Sequence, residues 1–434
     1  MATSFLSTCR ACGSQHLTPA FTLTGENAWV FCGDASGEGG CGLLQRATTG
    51  EEGYQHVPQS LSWTEQYRLR SVVAGALEMV TTRDGKALDI HCGTGTLLSA
   101  YPRWITPVGV DARLSETGSQ DWGVGIAADF LSQNAGKALT KIADEGFDII
   151  TSIGSLEQAE EPVVYLERVK TLLAKDGVFV LETPYAALAL TRTLTSPFHR
   201  DAKGVYSLAT LEYLASQVGL RIIRGSMTEM AGGSIRVYMT HKDYRGHDYG
   251  PWFEMLARLW DEENSLCLRG RQAYNAFQMR LAGRSMDIAA LKASMVRNDE
   301  HAYVIGTCSR TVAALQAGDL DYDVISAHIG DVARPGFPEI ITEPMAREAP
   351  PDVLIAPTWR RRETLEGWHD QIMAGTRVVF IEPEVLVVDA ENYPHELGRA
   401  LAVTDGPGSV ETLKAALAAM RGPRLSVVSQ NMGS

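Results

Sequence analysis

Two groups of residues in this 434-residue chain have the types and spacing to do chemistry. The first is the run Asp89-Ile-His91-Cys92-Gly93-Thr-Gly95, with Asp111 closing the apolar stretch Pro107-Val-Gly-Val110. Glycines let a backbone pass close under a ligand with no β-carbon in the way. A carboxylate at the end of a strand can accept both hydroxyls of a ribose. The second group is Cys9-Arg-Ala-Cys12 with Cys32 and Cys41. A C-x2-C knuckle aims two thiolates at one ion, and Gly33-Asp-Ala-Ser-Gly-Glu-Gly-Gly40 between the later pair reads as a looped-out insertion. Four thiolates suit tetrahedral Zn²⁺, and such a closed site is structural rather than catalytic. The segment has few apolar residues, so metal binding would supply much of its folding free energy.

The elements that must position these groups follow from the pattern. Ala87–Ile90 reads as a buried strand, His91–Thr96 as a glycine-rich turn, Leu97–Tyr101 as the start of a helix, and Pro107–Val110 as the next strand. The turn is not the G-x-G-x-x-G of a dinucleotide site. An acid two residues ahead of the turn, with fewer glycines, matches S-adenosylmethionine (SAM) methyltransferases; the plain alternative is an ordinary strand–turn–helix carrying two glycines. On the SAM reading the early acid Asp89 holds the methionine end of the cofactor and Asp111 the ribose. Asp129, after the strand Val124–Ile126, receives the adenine amine. His91, Gly93, Gly95, Phe130 and Ser152 complete the expected cofactor surface. Phe147–Ile150 and Gly177–Glu182 are further buried strands, with a helix from Val163 to Ala174 between them. Residues 187–240 add an insertion, a helix at Leu208–Val218, and strands near Leu220–Arg224 and Ile235–Met239. Strands and helices in alternation predict an α/β fold, a doubly wound parallel sheet binding its ligand at the carboxyl edge.

Beyond this, residues 251–299 read as a long helical region broken at Gly270 and Gly283, a packing element and spacer. A second α/β pattern begins at His301, with strands at Ala302–Gly306, Tyr322–Ile325, Val353–Ile355 and Thr376–Ile381. A helix at Ser409–Met420 and a strand at Leu425–Val428 end the chain. The expected division is a zinc module (1–63), a class I SAM methyltransferase domain (64–243), a helical connector (244–300), a Rossmann-like domain (301–390) and a C-terminal extension (391–434). The formal charge of −13 argues against nucleic acid and anionic membrane as main partners. No basic-then-apolar leader opens the chain, and no run of about 18 apolar residues is present. Seven cysteines, four clustered at the N-terminus, fit a reducing compartment with a metal site, so a cytoplasmic location is expected. Nothing in the sequence sets an oligomeric state.

In this order the pieces resemble the SAM-dependent sugar C-methyltransferases of deoxysugar biosynthesis. The resemblance runs from about Cys9 to Pro383. It is carried by Cys9-Arg-Ala-Cys-Gly-Ser14, Asp89–Leu98, Asp129-Phe130, Thr171–Val180 and Gly232-Gly-Ser-Ile-Arg-Val-Tyr238, then by Gly306, Pro335-Gly336, Pro351-Asp352 and Trp359. It implies a structural zinc, SAM as cofactor, and a nucleotide-sugar as small-molecule substrate that the C-terminal domain helps to bind. It also implies a reaction in which a base removes the proton beside a sugar ketone and the enolate carbon takes the methyl group.

The chain departs from that family where its base region reads Tyr-His-Glu-His. Here the run is Pro197-Phe-His199-Arg-Asp201-Ala202-Lys-Gly-Val-Tyr206-Ser-Leu208, with Ala202 at the second histidine. Gln158 and Ala231 replace two more family histidines, and His91 stands where the family has a glycine. The candidates for chemistry are therefore His199, as a displaced base or an exposed loop residue, and Glu157, as a base or a cap on the following helix. Tyr206 lies near His199, while Tyr54 and Tyr185 read as substrate contacts or packing. Cys92 and Cys308 read as reactive thiols or small buried residues. The leading expectation is C-methylation of a nucleotide-activated keto-deoxysugar. The alternatives are a methyltransferase with an altered acceptor (O- or N-methylation) and a catalytically inactive SAM- or sugar-binding scaffold.

Overall fold

The run Gly85–Ile90 is flanked by parallel strands on both sides, which is why it reads as a near-continuous apolar stretch with one acid in it. The computed structural model describes residues 4–25, 27–34, 39–49, 63–82, 84–115, 117–320, 322–330 and 339–404. Tyr54, Pro335, Gly336 and the expected helix and strand after residue 404 lie outside the described residues.

The first large sheet has eight strands. From one edge they are Leu220–Thr228, Ser234–His241, Leu173–Pro184, Phe147–Ile153, Gly85–Ile90, Ile105–Val110, Gly123–Ile126 and Gly118–Gln120. The five from Leu173–Pro184 to Gly123–Ile126 pair in parallel. A hairpin at each edge runs antiparallel. Both faces are covered. Leu69, Val72, Val73 and Ala76 of helix Trp63–Leu77 pack on one side with Ala87, Ile149 and Val180. Helices Gln133–Ile142, Pro162–Leu172 and Leu208–Val218 supply the other. Burial at this density is the main stabilising term.

A second sheet of six strands runs Ile340–Ile341, Ile325–Ile329, Ala302–Ile305, Val353–Ala356, Arg377–Phe380 and Leu386–Val388, the last antiparallel. Helices Gly250–Ser265 and Arg271–Arg297 precede it. A third, four-stranded sheet joins Leu17–Thr22, Ala28–Cys32 and Leu44–Arg46 to Gly204–Val205 from the 197–207 run.

The structure corrects four expectations. No helix follows the glycine turn: Leu98–Ala100 is a single 3₁₀ turn, and Pro102 with the strand beginning at Ile105 leaves no length for more. Gly283 does not break its helix, which runs unbroken for 27 residues; one glycine costs only about 1 kcal/mol, which packing on Phe277, Ile288 and Leu291 outweighs. The second strand of the later sheet is Ile325–Ile329 rather than Tyr322–Ile325: Tyr322 and Asp323 are exposed and burial begins only at Val324. An edge strand, Gly118–Gln120, was not expected at all.

Candidate active site

The glycine turn takes the conformation its residues permit. Gly93 and Gly95 have φ of 55° and 75°, and a β-carbon at Gly93 would meet nothing within 4 Å, so the turn is open on that side. His91 adopts φ 58°, a left-handed conformation rare for a non-glycine residue and one that glycine takes freely. Burial holds its imidazole below the ordinary histidine range.

Gly95 is closed off instead. A β-carbon there would lie 2.2 Å from Trp122 Nε1, and one at Gly109 would lie 2.7 Å from the same ring. Trp122, in the turn of the edge hairpin, packs against both glycines. Its only sequence signal is an aromatic residue paired with two glycines distant in sequence.

The acids sit at the carboxyl edge of the strands, as expected. Asp89 is buried and accepts a 2.6 Å hydrogen bond from Thr151 Oγ1. Desolvation, aided by the nearby Asp111 charge, outweighs that bond and pushes its pKa up to about 7. Asp111 Oδ2 accepts from Gly93 N–H at 2.9 Å, and the Arg113 guanidinium pairs with both of its oxygens at 2.8 and 2.5 Å. Burial alone would raise this carboxyl, but the Arg113 bonds and the two backbone N–H groups hold it below its usual range. Asp129 follows the strand Gly123–Ile126, with Oδ1 accepting from Leu131 N–H at 2.8 Å and its residue exposed. Phe130 is buried against Tyr165, ring centroids 5.1 Å apart. Ser152 is turned into a closed hydroxyl cluster, 2.7 Å from Ser155 Oγ and 2.9 Å from Tyr165 Oη.

Of the residues considered for chemistry, the structure brings two together. Glu157 is fully buried; its Oε1 accepts from Arg310 Nη2 at 2.6 Å and its Oε2 from Thr183 Oγ1 at 3.2 Å. It does not cap the next helix, whose N-cap is Glu161. His199 is also buried, only 2% exposed, so it is not a surface loop residue. Its Nδ1 lies 3.3 Å from Ser309 Oγ and 3.6 Å from Asp201 Oδ2, while Nε2 is buried with no hydrogen-bond partner. Desolvation lowers the His199 pKa, Asp201 pulls the other way, and the Arg310 charge lowers it further. Tyr206 is buried and donates to the Leu156 carbonyl at 3.2 Å. Tyr185 is turned away: its hydroxyl donates to Glu263 Oε2 at 2.7 Å, and the same carboxylate accepts the N–H groups of Leu208 and Ala209. Cys92 is buried and its thiol pushed up by desolvation, whereas Cys308 Sγ meets Thr311 Oγ1 at 3.3 Å.

Two arginines at this centre were not read from the sequence, because their partners are far away along the chain. Arg310 opens the first helix of the later sheet, and Arg46 reaches from the cysteine segment to the carbonyls of His199 and Ala202.

The four cysteines do converge. Their Sγ atoms all lie within 4.8 Å of one another, with Cys9–Cys41 at 3.6 Å and Cys12–Cys32 at 3.4 Å. A tetrahedral ion with sulfur at about 2.3 Å requires S···S of about 3.8 Å, so this donor set fits a metal. Hydrogen bonds from Cys32 and Cys41 draw the Cys9 thiol down, while Cys41 is driven up by Cys32, Cys9 and burial. A cation is what would let all four ionise together.

Residues 63–224 match a family model described as a methyltransferase domain, and residues 229–383 match one described as a C-methyltransferase C-terminal domain. No curated protein matches the chain. Among solved structures the chain is similar to a SAM-dependent methyltransferase from Clostridium acetobutylicum ATCC 824, at 14% identity over 42% of this chain and 93% of that one, with a TM-score of 0.31. It is also similar to the 1,6-didemethyltoxoflavin-N1-methyltransferase of Burkholderia thailandensis, at 12% identity over 42% and 81% of the two chains and a TM-score of 0.31. A third is the magnesium protoporphyrin IX methyltransferase of Synechocystis PCC 6803, at 16% identity over 41% and 79%, with a TM-score of 0.28. Among the described residues, no helix is long and apolar enough to cross a membrane. The two family matches carry the assignment: this chain is a methyltransferase enzyme, with a C-methyltransferase C-terminal domain following its methyltransferase domain.

Proposed function

We propose that the protein is a SAM-dependent C-methyltransferase acting on a nucleotide-activated keto-deoxysugar. The observation that carries the reading is His199, an imidazole buried with Nε2 unpaired and Nδ1 facing Asp201. A neutral imidazole whose far nitrogen is oriented by a carboxylate is suited to accept a proton. What this centre offers is proton abstraction from carbon beside a carbonyl, with Glu157, Arg310 and Tyr206 around it.

When bound, SAM supplies the methyl group as part of a sulfonium. Asp89, Gly93, Gly95, Asp111 and Asp129 are the residues that would hold it. The open side of Gly93 and the acids at the strand ends fit the cofactor, provided the Arg113 guanidinium gives way to the ribose at Asp111. Zn²⁺ at Cys9, Cys12, Cys32 and Cys41 has a structural role, since four thiolates leave no position for substrate. The later sheet, residues 301–390, is the part that would take the nucleotide end of the acceptor.

Ala202, Gln158 and Ala231, where the resembled family has histidines, favour a second reading in which the acceptor has changed and O- or N-methylation replaces C-methylation. Incubation with methyl-labelled SAM and a panel of nucleotide-linked keto-sugars separates the two. The expected product carries the label on carbon and keeps it through acid hydrolysis. Label on oxygen or nitrogen would establish the second reading, and no transfer to any of these acceptors would overturn the nucleotide-sugar reading.

A further inference from the structure

The ion pair between Glu157 and Arg310 joins the carboxyl edges of the two large sheets. Glu157 lies in the 3₁₀ turn Leu156–Gln158 after the strand Phe147–Ile153. Arg310 lies in the first turn of helix Ser309–Ala317, just after the strand Ala302–Ile305. The residue before it, Ser309, is the one that meets His199. Consecutive residues of the later sheet therefore reach both chemical groups of the earlier one. One Arg310 Nη2 donor is spent on Glu157 at 2.6 Å, while Nε is buried with no hydrogen-bond partner. The pair borders Gly154 at the end of its strand, where a β-carbon would lie 3.5 Å from Arg310 Nη2 and 3.6 Å from Glu157 Oε1. A guanidinium with a spare donor, fixed by one carboxylate and next in sequence to the serine that meets the His199 ring, is a ready anion acceptor.

We propose that Arg310 is a catalytic residue of the methyl-transfer reaction, binding the acceptor's carbonyl oxygen and stabilising the enolate. The proposal rests on the keto-sugar reading above. His199 Nε2 takes the proton from the carbon beside the carbonyl. The C–H electron pair becomes the carbon–carbon double bond, and the carbonyl π pair moves onto oxygen, where Arg310 meets the new charge. Glu157 positions the half-buried guanidinium, and the cation compensates the fully buried carboxylate until the enolate forms. The site is thus incomplete without the later sheet.

The half-reaction can be followed without the cofactor. The full chain is incubated in deuterium oxide with TDP-4-keto-6-deoxyglucose or its 2,6-dideoxy analogue, and NMR reads deuterium entering the carbon beside the ketone. The native protein is expected to catalyse exchange, and Arg310→Gln to lose it by on the order of 10²–10³-fold, the range for removing one oxyanion donor. Arg310→Lys keeps the charge opposite Glu157, and its native thermal unfolding is checked alongside; it is expected to fall short of the native rate while binding the nucleotide-sugar as tightly. Millimolar guanidinium is expected to restore exchange to Arg310→Ala, which a merely structural role would not allow. Native exchange with an undiminished rate in Arg310→Gln and Arg310→Lys overturns the proposal and leaves the keto-sugar reading standing. Absence of exchange in the native protein with both probes overturns both.

Discussion

Arg46 of the cysteine segment donates to the His199 carbonyl from Nη2 at 2.6 Å and to the Ala202 carbonyl from Nε at 3.1 Å. The turn His199–Ala202, closed by the Ala202 N–H to His199 carbonyl bond at 3.0 Å, is thus pinned by a buried cation from a strand distant in sequence. Pairing of Gly204–Val205 with Gln45 and Leu44, and Asn27 Nδ2 donating to the Phe198 carbonyl at 3.1 Å, add to the same support. The four cysteines hold the strands that carry these residues. Removing the proposed Zn²⁺ with a chelator is therefore expected to raise amide hydrogen exchange in residues 198–206 together with the cysteine segment. Unchanged protection at 198–206 in the stripped protein would show that the His199 turn stands by itself.

Asp89 gives the proposed cofactor site a pH dependence with a definite sign. Its folded pKa is raised to about 7, so the protonated form is favoured in the free protein, and that contribution to stability is lost as pH rises from about 4 to about 7. Binding the cationic methionine end of SAM requires the ionised form. Below pH 7, SAM binding should therefore release about one proton, and affinity should rise up to about tenfold per pH unit toward 7. Calorimetry at pH 6 in buffers of different ionisation heat measures that proton directly. In Asp89→Asn the released proton should vanish; if it persists, another group is the one titrating.

The glycine turn separates conformational from steric cost. Gly93→Ala places a β-carbon in open space and should cost about 1–2 kcal/mol from its left-handed φ alone. Gly95→Ala carries the same strain and drives a methyl into Trp122, which should add about 1–3 kcal/mol of overpacking. Chemical denaturation of both variants, with Trp122→Ala as background, tests this. In the Trp122→Ala protein the excess cost of Gly95→Ala should largely disappear.

What could be read from the chain and what could not divides by sequence distance. Asp89, Gly93, Gly95 and Asp111 fall within one strand–turn–strand unit, so spacing alone placed them correctly at a sheet edge. The C-x2-C knuckle likewise announced the cysteine cluster. Leu97–Tyr101 misled because its apolar spacing fits a helix, whereas Pro102 and the strand beginning at Ile105 cut it to a single 3₁₀ turn. Arg46 and Arg310 were invisible because nothing local distinguishes an arginine paired to a distant buried group from a surface one before its partner is known. The burial of His199 depends on a third sheet made from segments far apart in sequence, and no periodicity records that.

The charge state of His199 sets the last expectation. Desolvation and the Arg310 charge depress its pKa below the usual histidine value, so the imidazole is neutral and competent as a base across neutral pH. The rate of proton abstraction should then be flat on that side and fall only as pH drops through the depressed value, below about 6.5. Asp201 opposes the depression, because its carboxylate faces Nδ1 and favours the protonated ring. Asp201→Asn removes that pull, so the acid limb should move to lower pH. The plateau rate should fall as well, since a carboxylate no longer orients the ring. His199→Gln should lower the plateau by on the order of 10²–10⁴, the usual loss for a general base, and abolish the limb. These profiles are measured as cofactor-free deuterium exchange, so SAM affinity and its Asp89 titration do not enter. A limb that stays in place in Asp201→Asn would mean that Asp201 does not act on the base. A limb that survives His199→Gln would move the base to another group, with Glu157 next in the cluster.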